Sequence, residues 1–105
     1  MFNKVILIGR LVADPEVLNT QSTTSVVKVR IAVDRKGREK EMDIFDCVAF
    51  GRIANFVSIN LFKDRLVTII GTLRVRSYVA EDESNRQVWE IIIDEALPFN
   101  SIKLE

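Results

Sequence analysis

The chain has 105 residues, 48% of them hydrophobic and 29% charged, which predicts one globular domain with a modest core. It contains no histidine and a single cysteine, so an intramolecular disulfide is excluded and the commonest metal ligand and general base are missing. The net charge is zero, but residues 1–80 hold 13 basic and 8 acidic residues, whereas residues 81–105 hold 2 and 7. A basic body therefore precedes an acidic end, a distribution that permits polyanion binding.

Three strands are predicted in the first half of the chain, because these runs are apolar, β-branched or alternating: residues 3–12, 26–33 and 44–50. Asp14-Pro15 ends the first of them. The charged run 34–43 is expected to be a solvated loop that turns around Gly37.

The second half begins with a change of period. Residues 52–62 carry apolar side chains at helical spacing, which predicts one short amphipathic helix. Two further strands are predicted at residues 66–78 and 86–94, joined by a polar hairpin loop at 80–85. Gly71 interrupts the first of these two strands, so a bulge or sharp bend is expected there.

The order of three strands, one helix and two strands predicts an all-β fold with one short helix. It fits a five-stranded Greek-key barrel of the OB type, with the helix between strands 3 and 4. An SH3-like barrel would not normally carry a helix at that point, and a ferredoxin-like fold needs two helices. We therefore expect residues 1–105 to form a single OB-fold domain.

The sequence offers little for catalysis. Without histidine, and with Cys47 in the apolar run FDCVAF, no nucleophile–base pair is evident. The four glycines are scattered and form no phosphate-binding loop, and the acidic residues 81–83 indicate a solvated hairpin tip. The N-terminus lacks the long apolar stretch of a signal peptide. We expect a cytoplasmic protein that is not an enzyme, needs no metal or cofactor, and buries Cys47 as a small hydrophobic residue.

One stretch has the composition of a binding surface. Arg74, Arg76 and Tyr78 are two residues apart, so in an extended strand they share one face. OB barrels bind single strands through a basic groove and aromatic rings on which bases stack. Phe50, at the end of the third strand, is the second candidate ring. Together these residues predict a face that binds single-stranded nucleic acid.

The register of the last hairpin separates its two large rings. A turn near Glu83 would place Tyr78 opposite Val88 and Trp89 opposite Ser77. Trp89 would then lie in the barrel interior, with the apolar residues that share its face: Val75, Ile91 and Ile93. On this prediction Tyr78 is a binding residue and Trp89 a structural one.

Three segments resemble, in order and at compatible spacing, the bacterial single-stranded-DNA-binding proteins. They are NKVILIGRLVADPEV at residues 3–17, AFGR at 49–52 and GTLRVRSY at 71–78. The resemblance covers residues 2–99 and implies an OB fold that coats single-stranded DNA, with little sequence preference, during replication, repair and recombination. It also implies a homotetramer, with a dimer as the second possibility, in which subunits pair through the first strand.

The resemblance assigns roles to particular positions. Phe50 and Tyr78 stand where the family has stacking aromatics. Four basic residues stand where the family often has cations near the DNA backbone: Arg52, Lys63, Arg74 and Arg76.

The sequence departs from the family in three places. Ile44 stands where the family generally has another stacking ring, and its neighbour Phe45 is expected to point the opposite way. The loop 34–42 is short and contains no aromatic residue. The chain ends at Glu105 without the acidic, Phe-ended tail that typically recruits replication or repair proteins. These departures leave two alternatives open: a dimeric primosomal-type accessory protein that acts as an adaptor, or an interaction protein that has largely lost DNA binding.

Overall fold

The computed structural model describes residues 1–18 and 25–99. In chain order its elements are β1 (Val5–Leu11), β2 (Glu16–Leu18), β3 (Val26–Arg35), β4 (Arg38–Phe50), α1 (Gly51–Asn60), β5 (Leu66–Val79) and β6 (Asn85–Pro98). The prediction of five long strands, with one helix after the third of them, is confirmed. The short strand β2 is the one element that the sequence pattern does not predict.

The strands form one sheet that closes on itself. The order along the sheet is β1-β5-β6-β4-β3-β2, and a further pairing of β1 with β3 joins Arg10 to Ala32 and Leu11 to Ile31. Neighbouring strands are antiparallel, except that β4 and β6 run parallel. This is the arrangement of a five-stranded OB barrel, so the predicted fold class is confirmed.

Alternation along the strands supplies the core. Inward-facing aliphatic side chains fill the barrel, and the largest contributions come from β3, β5 and β6: Val27, Val29, Ile31, Val67, Ile69, Ile91 and Ile93. The helix packs its apolar face against β3, β4 and β6 through Ala54 and Val57. Cys47 is buried among these residues, as the sequence predicts.

The charged run 34–43 is a β-hairpin rather than the expected solvated loop. The turn itself is where it was expected, since Gly37 lies between β3 and β4 with φ of +77°. Arg35 on β3 donates hydrogen bonds to Asp43 and Glu41 on β4, at 2.9 and 3.1 Å. Opposite charges on facing strands stabilise each other, which is why a polar run remains extended here.

The bend expected at Gly71 is present as a bulge. The pairing of β5 with β6 shifts by one residue at Gly71, which leaves Asp94 as the extra residue on β6. A β-carbon on Gly71 would collide with the carbonyl oxygen of Ile92 and lie 2.6 Å from Cγ2 of Ile91. Glycine is needed at this position because the two strands approach too closely for a side chain.

The register of the β5–β6 hairpin differs from the predicted one by two residues. Tyr78 pairs with Arg86 rather than with Val88. The turn is closed by a hydrogen bond of 2.9 Å from the N–H of Ala80 to the carbonyl of Ser84. Because side chains alternate with a period of two, a shift of two residues leaves each side chain on its predicted face.

The prediction that Trp89 lies inside the barrel is wrong. It pairs with Val75 instead of Ser77, and the residue is 58% exposed. The pairing of β6 with β4 ends at Ile91, opposite Cys47. Beyond this point β5 and β6 continue as a two-stranded ribbon, and no third strand of the described chain covers Trp89. The ribbon consists of residues 74–79 and 85–90.

Within residues 1–18 and 25–99, no helix is long and apolar enough to cross a membrane. The sequence analysis also predicts that the end of the chain does not carry an acidic, Phe-ended tail. Residues 100–105, at this end, lie outside the described residues.

Candidate nucleic-acid interface

The outward side chains of four strands form one continuous surface, which we call the groove face. Directly paired residues point to the same side of a sheet, so the surface runs from Lys28 on β3 through Val48 on β4 to Ile92 on β6. The groove face comprises Val26, Lys28, Arg30, Ile44, Asp46, Val48, Phe50, Thr72, Arg74, Arg76, Tyr78, Arg86, Val88, Glu90 and Ile92. The opposite side of the same strands faces the core.

An open groove of about 240 Å³ lies in the middle of this surface. Val48 and Val88 give it an apolar lining, and three basic residues line it as well. We call the following seven residues the central groove: Lys28, Arg30, Asp46, Val48, Arg76, Val88 and Glu90. A groove that combines apolar surface with cations can accommodate both the bases and the phosphates of a single strand.

The three residues predicted on β5 share one face, as expected. Arg76 lines the central groove, whereas Arg74 and Tyr78 lie on either side of it along the strand. Tyr78 is 46% exposed on the ribbon, directly opposite Arg86. A ring held on a strand, beside a guanidinium and open to solvent, is available for stacking.

Phe50 and Arg52 lie on either side of a sharp turn at Gly51. The φ of Gly51 is +61°, a conformation that disfavours a β-carbon, and its N–H donates to the carbonyl of Ser25 at 2.9 Å. The turn ends β4 with Phe50 on the groove face, where the residue is 42% exposed. It also starts α1, whose first turn carries the exposed Arg52.

Lys63 follows α1 in an exposed turn. Its backbone N–H donates to a carboxylate oxygen of Asp14 at 2.8 Å, and Asp14 borders the central groove.

Among the six residues predicted from the sequence, Arg76 alone lines the central groove in the described part of the chain. The other five do not line it and lie on β4, α1, the turn after α1, and β5.

The sequence reasoning missed three basic residues of the groove face: Lys28, Arg30 and Arg86. The signal for two of them is present in VVKVRIAV, where Lys28 and Arg30 alternate with buried aliphatic residues and must face outward. What the pattern does not show is that β3 and β5 contribute to the same groove. Only the closed sheet places Lys28 and Arg30 in one groove with Arg76.

Two of the three central-groove cations have carboxylate partners. Nε of Arg30 lies 3.1 Å from Oδ1 of Asp46, and both side chains are 63% exposed. Nε of Arg76 lies 3.7 Å from Oε1 of Glu90, which is a looser ion contact. The positive charge of the central groove is therefore largely neutralised from within.

Position 44 carries no ring on the groove face. Ile44 is exposed there, and Phe45 points the opposite way and packs against the core, as predicted. The groove face thus offers two exposed aromatic rings in the described part of the chain, those of Phe50 and Tyr78.

Two further titratable groups, Cys47 and Asp82, have shifted pKa values. Burial raises the pKa of Cys47 to about 12, so the thiol stays neutral at physiological pH and is a poor nucleophile. At the hairpin tip, hydrogen bonds from Ser84 hold the pKa of Asp82 below its usual range. Across residues 1–18 and 25–99, no cluster of His, Cys, Asp or Glu is suited to hold a metal ion.

A closed barrel with an open groove that carries cations and exposed rings defines an OB-fold protein of the nucleic-acid-binding class. The model of the single-strand binding protein family matches residues 2–99. The chain belongs to this family, as its three motifs indicate.

Curated relatives agree with this assignment. The chain is 34% identical over 93 residues to the single-stranded DNA-binding protein of Clostridium perfringens, covering 88% of this chain and 62% of the relative. It is 42% identical over 97 residues to that of Thermotoga maritima, covering 87% and 69%. It is 37% identical over 99 residues to that of Malacoplasma penetrans, covering 94% and 52%. The chain thus spans about half to two thirds of the length of these relatives.

Proposed function

We propose that this protein binds single-stranded DNA with little sequence preference and without catalysing a reaction. The observation that carries the proposal is the groove face, where basic side chains and the exposed rings of Phe50 and Tyr78 surround an open, partly apolar groove. Membership of the single-strand binding protein family supports it, as do the names of the relatives.

Binding combines stacking with phosphate contacts. Bases stack on Phe50 and Tyr78, and each such contact contributes about 1–3 kcal/mol whatever the base, because every base has a π-face. The phosphates are contacted by the predicted cations: Arg52, Lys63, Arg74 and Arg76. These contacts release counter-ions, so the affinity falls as salt rises. With Ile44 in place of a third ring, the affinity is lower than in a relative that has one.

The role that follows is the coating of exposed single strands in the cytoplasm during replication, repair and recombination. A protein that stacks bases without reading their edges covers whatever sequence is exposed. Replication or repair proteins are the partners that such a coat would meet.

We also propose that copies associate through β1, as a homotetramer. Ile6 and Ile8 are exposed on the outer side of β1, beside Ile70 on β5. From Val5 to Gly9, β1 pairs with β5 along one edge, and the described residues provide no partner for its other edge. Pairing between copies would cover both the open edge and the apolar face.

Fluorescence anisotropy with a labelled oligothymidylate of about 30 nucleotides tests the proposed function, since this length spans more than one OB barrel. We expect tight binding at low salt that weakens steeply as salt rises, and similar affinity for a mixed-sequence strand. A duplex of the same length should bind much less tightly. Failure to bind either single strand at low salt would reject DNA coating and favour the adaptor alternative.

A further inference from the structure

The open groove that contains the central groove carries no excess of positive charge. Its full lining has three basic residues (Lys28, Arg30, Arg76) and four acidic ones: Asp46 and Glu90 in the central groove, and Asp14 and Glu16 at its border. A groove that attracts a polyanion through its field ordinarily has a surplus of cations. The carboxylates in this groove therefore act against the proposed ligand.

Asp46 is the carboxylate best placed to do so. It lies directly opposite Arg30 on the neighbouring strand, with Nε and Oδ1 3.1 Å apart. Both side chains are 63% exposed and line the open groove, so a phosphate can approach either one. By contrast, the Glu90 side chain is only 17% exposed and lies 3.7 Å from Arg76.

We propose that Asp46 is a tethered counter-ion of Arg30, which an incoming phosphate must displace, and that it thereby sets the strength and salt dependence of DNA binding. The inference rests on the proposed function and concerns the regulation of the same site. It makes Arg30 a phosphate-binding residue, and Asp46 competes with the phosphate for Arg30.

The physical basis is the difference between a mobile and a tethered counter-ion. When a free cation of the protein neutralises a phosphate, salt ions leave the DNA and the affinity becomes salt-dependent. When that cation already has a carboxylate beside it, the carboxylate stays near the phosphate and cancels part of the gain. An exposed ion pair is weak, so the competition is modest and reversible.

Replacing Asp46 with asparagine, Asp46→Asn, tests the proposal because it keeps the shape and removes the charge. We expect about three- to ten-fold tighter binding of the labelled oligothymidylate at low salt, from the lost ion pair and the lost repulsion together. The slope of log affinity against log salt should steepen by about 0.7, the increment for one more neutralised phosphate in a single strand.

The matched control is Asp43→Asn, which changes the net charge equally. Asp43 lies on the same strand but pairs with Arg35 at 2.9 Å and does not line the groove. Its replacement should alter the affinity by less than about two-fold, because distant charges are screened by salt. Equal gains in the two variants would show a general charge effect and overturn the proposal.

A second set of variants tests whether Asp46 acts through Arg30. In an Arg30→Gln background, the increase in oligonucleotide affinity caused by Asp46→Asn should be less than about half of the increase that it causes in the wild type. The effects of coupled residues are not additive. If the increase in affinity were undiminished, Asp46 would act by repelling the DNA directly and not through Arg30, which would reject the tethered counter-ion. If neither the wild type nor any variant binds the oligonucleotide, the proposed function itself fails, which is a different result from binding with equal affinities.

Discussion

Tyr78 is the exposed ring that the ribbon presents on the groove face. We expect Tyr78→Ala to weaken oligonucleotide binding by about 1–3 kcal/mol, the range for one lost stacking platform, and to leave thermal unfolding unchanged. Val79→Ala is the control, because Val79 is also exposed but points to the other side of the ribbon. Equal losses in the two variants would contradict a specific role for Tyr78.

Trp89 lies on the opposite side of the ribbon, and its exposure changes what its removal should cost. Truncation of a fully buried tryptophan to alanine lowers the free energy of unfolding by about 3–5 kcal/mol, and truncation of an exposed one lowers it far less. Because Trp89 is exposed, we expect Trp89→Ala to lower it by less than about 2 kcal/mol. Ile91→Ala, two residues away and buried, should cost about 2–5 kcal/mol in the same urea titration.

Tryptophan fluorescence gives an independent check of the position of Trp89, because Trp89 is the only tryptophan of the chain. Its fluorescence should be that of a solvent-exposed indole and should change little when DNA is added, since DNA binds the other face. Strong quenching by DNA would mean that the strand also crosses this side of the ribbon.

At the scale of elements, the close approach of β5 and β6 at Gly71 maintains the bend of the barrel. We expect Gly71→Ala to destabilise the fold by about 1–3 kcal/mol, because the new methyl group meets the carbonyl oxygen of Ile92. Urea unfolding would measure the loss, with Ser77→Ala on the exposed ribbon as the control. Equal stability of the Gly71 variant and the wild type would show that the strands can separate at little cost.

At the scale of the whole molecule, the open edge and apolar face of β1 predict self-association. Light scattering at micromolar concentration should give about 48 kDa, the mass of four 12.0 kDa chains. Ile8→Glu should reduce this mass, because a charge would enter the covered face, whereas Val17→Glu on the exposed β2 should not. A monomeric wild type would contradict the proposal, and a dimer would favour the primosomal-type alternative.

Much of the fold follows from local patterns. The alternation in VVKVRIAV and the helical spacing after Gly51 depend on neighbours in the chain, so strands, helix and fold class can be predicted from them. The shared face of Arg74, Arg76 and Tyr78 was predictable for the same reason. The predicted hairpin register is wrong by two residues, but this error leaves the shared face unchanged, because side chains alternate between the two faces of a strand with a period of two residues.

What the sequence alone determined, then, is which residues form strands and which side chains share a face. The tertiary structure decided which faces are covered and which strands share a surface. Trp89 is exposed because β6 extends past the end of its pairing with β4, and no local pattern records where a neighbouring strand stops. Arg30 lies opposite Asp46, in one groove with Arg76, because the sheet brings β3, β4, β5 and β6 together. Burial and charge pairing depend on residues distant in the chain, and they are settled only when the barrel closes.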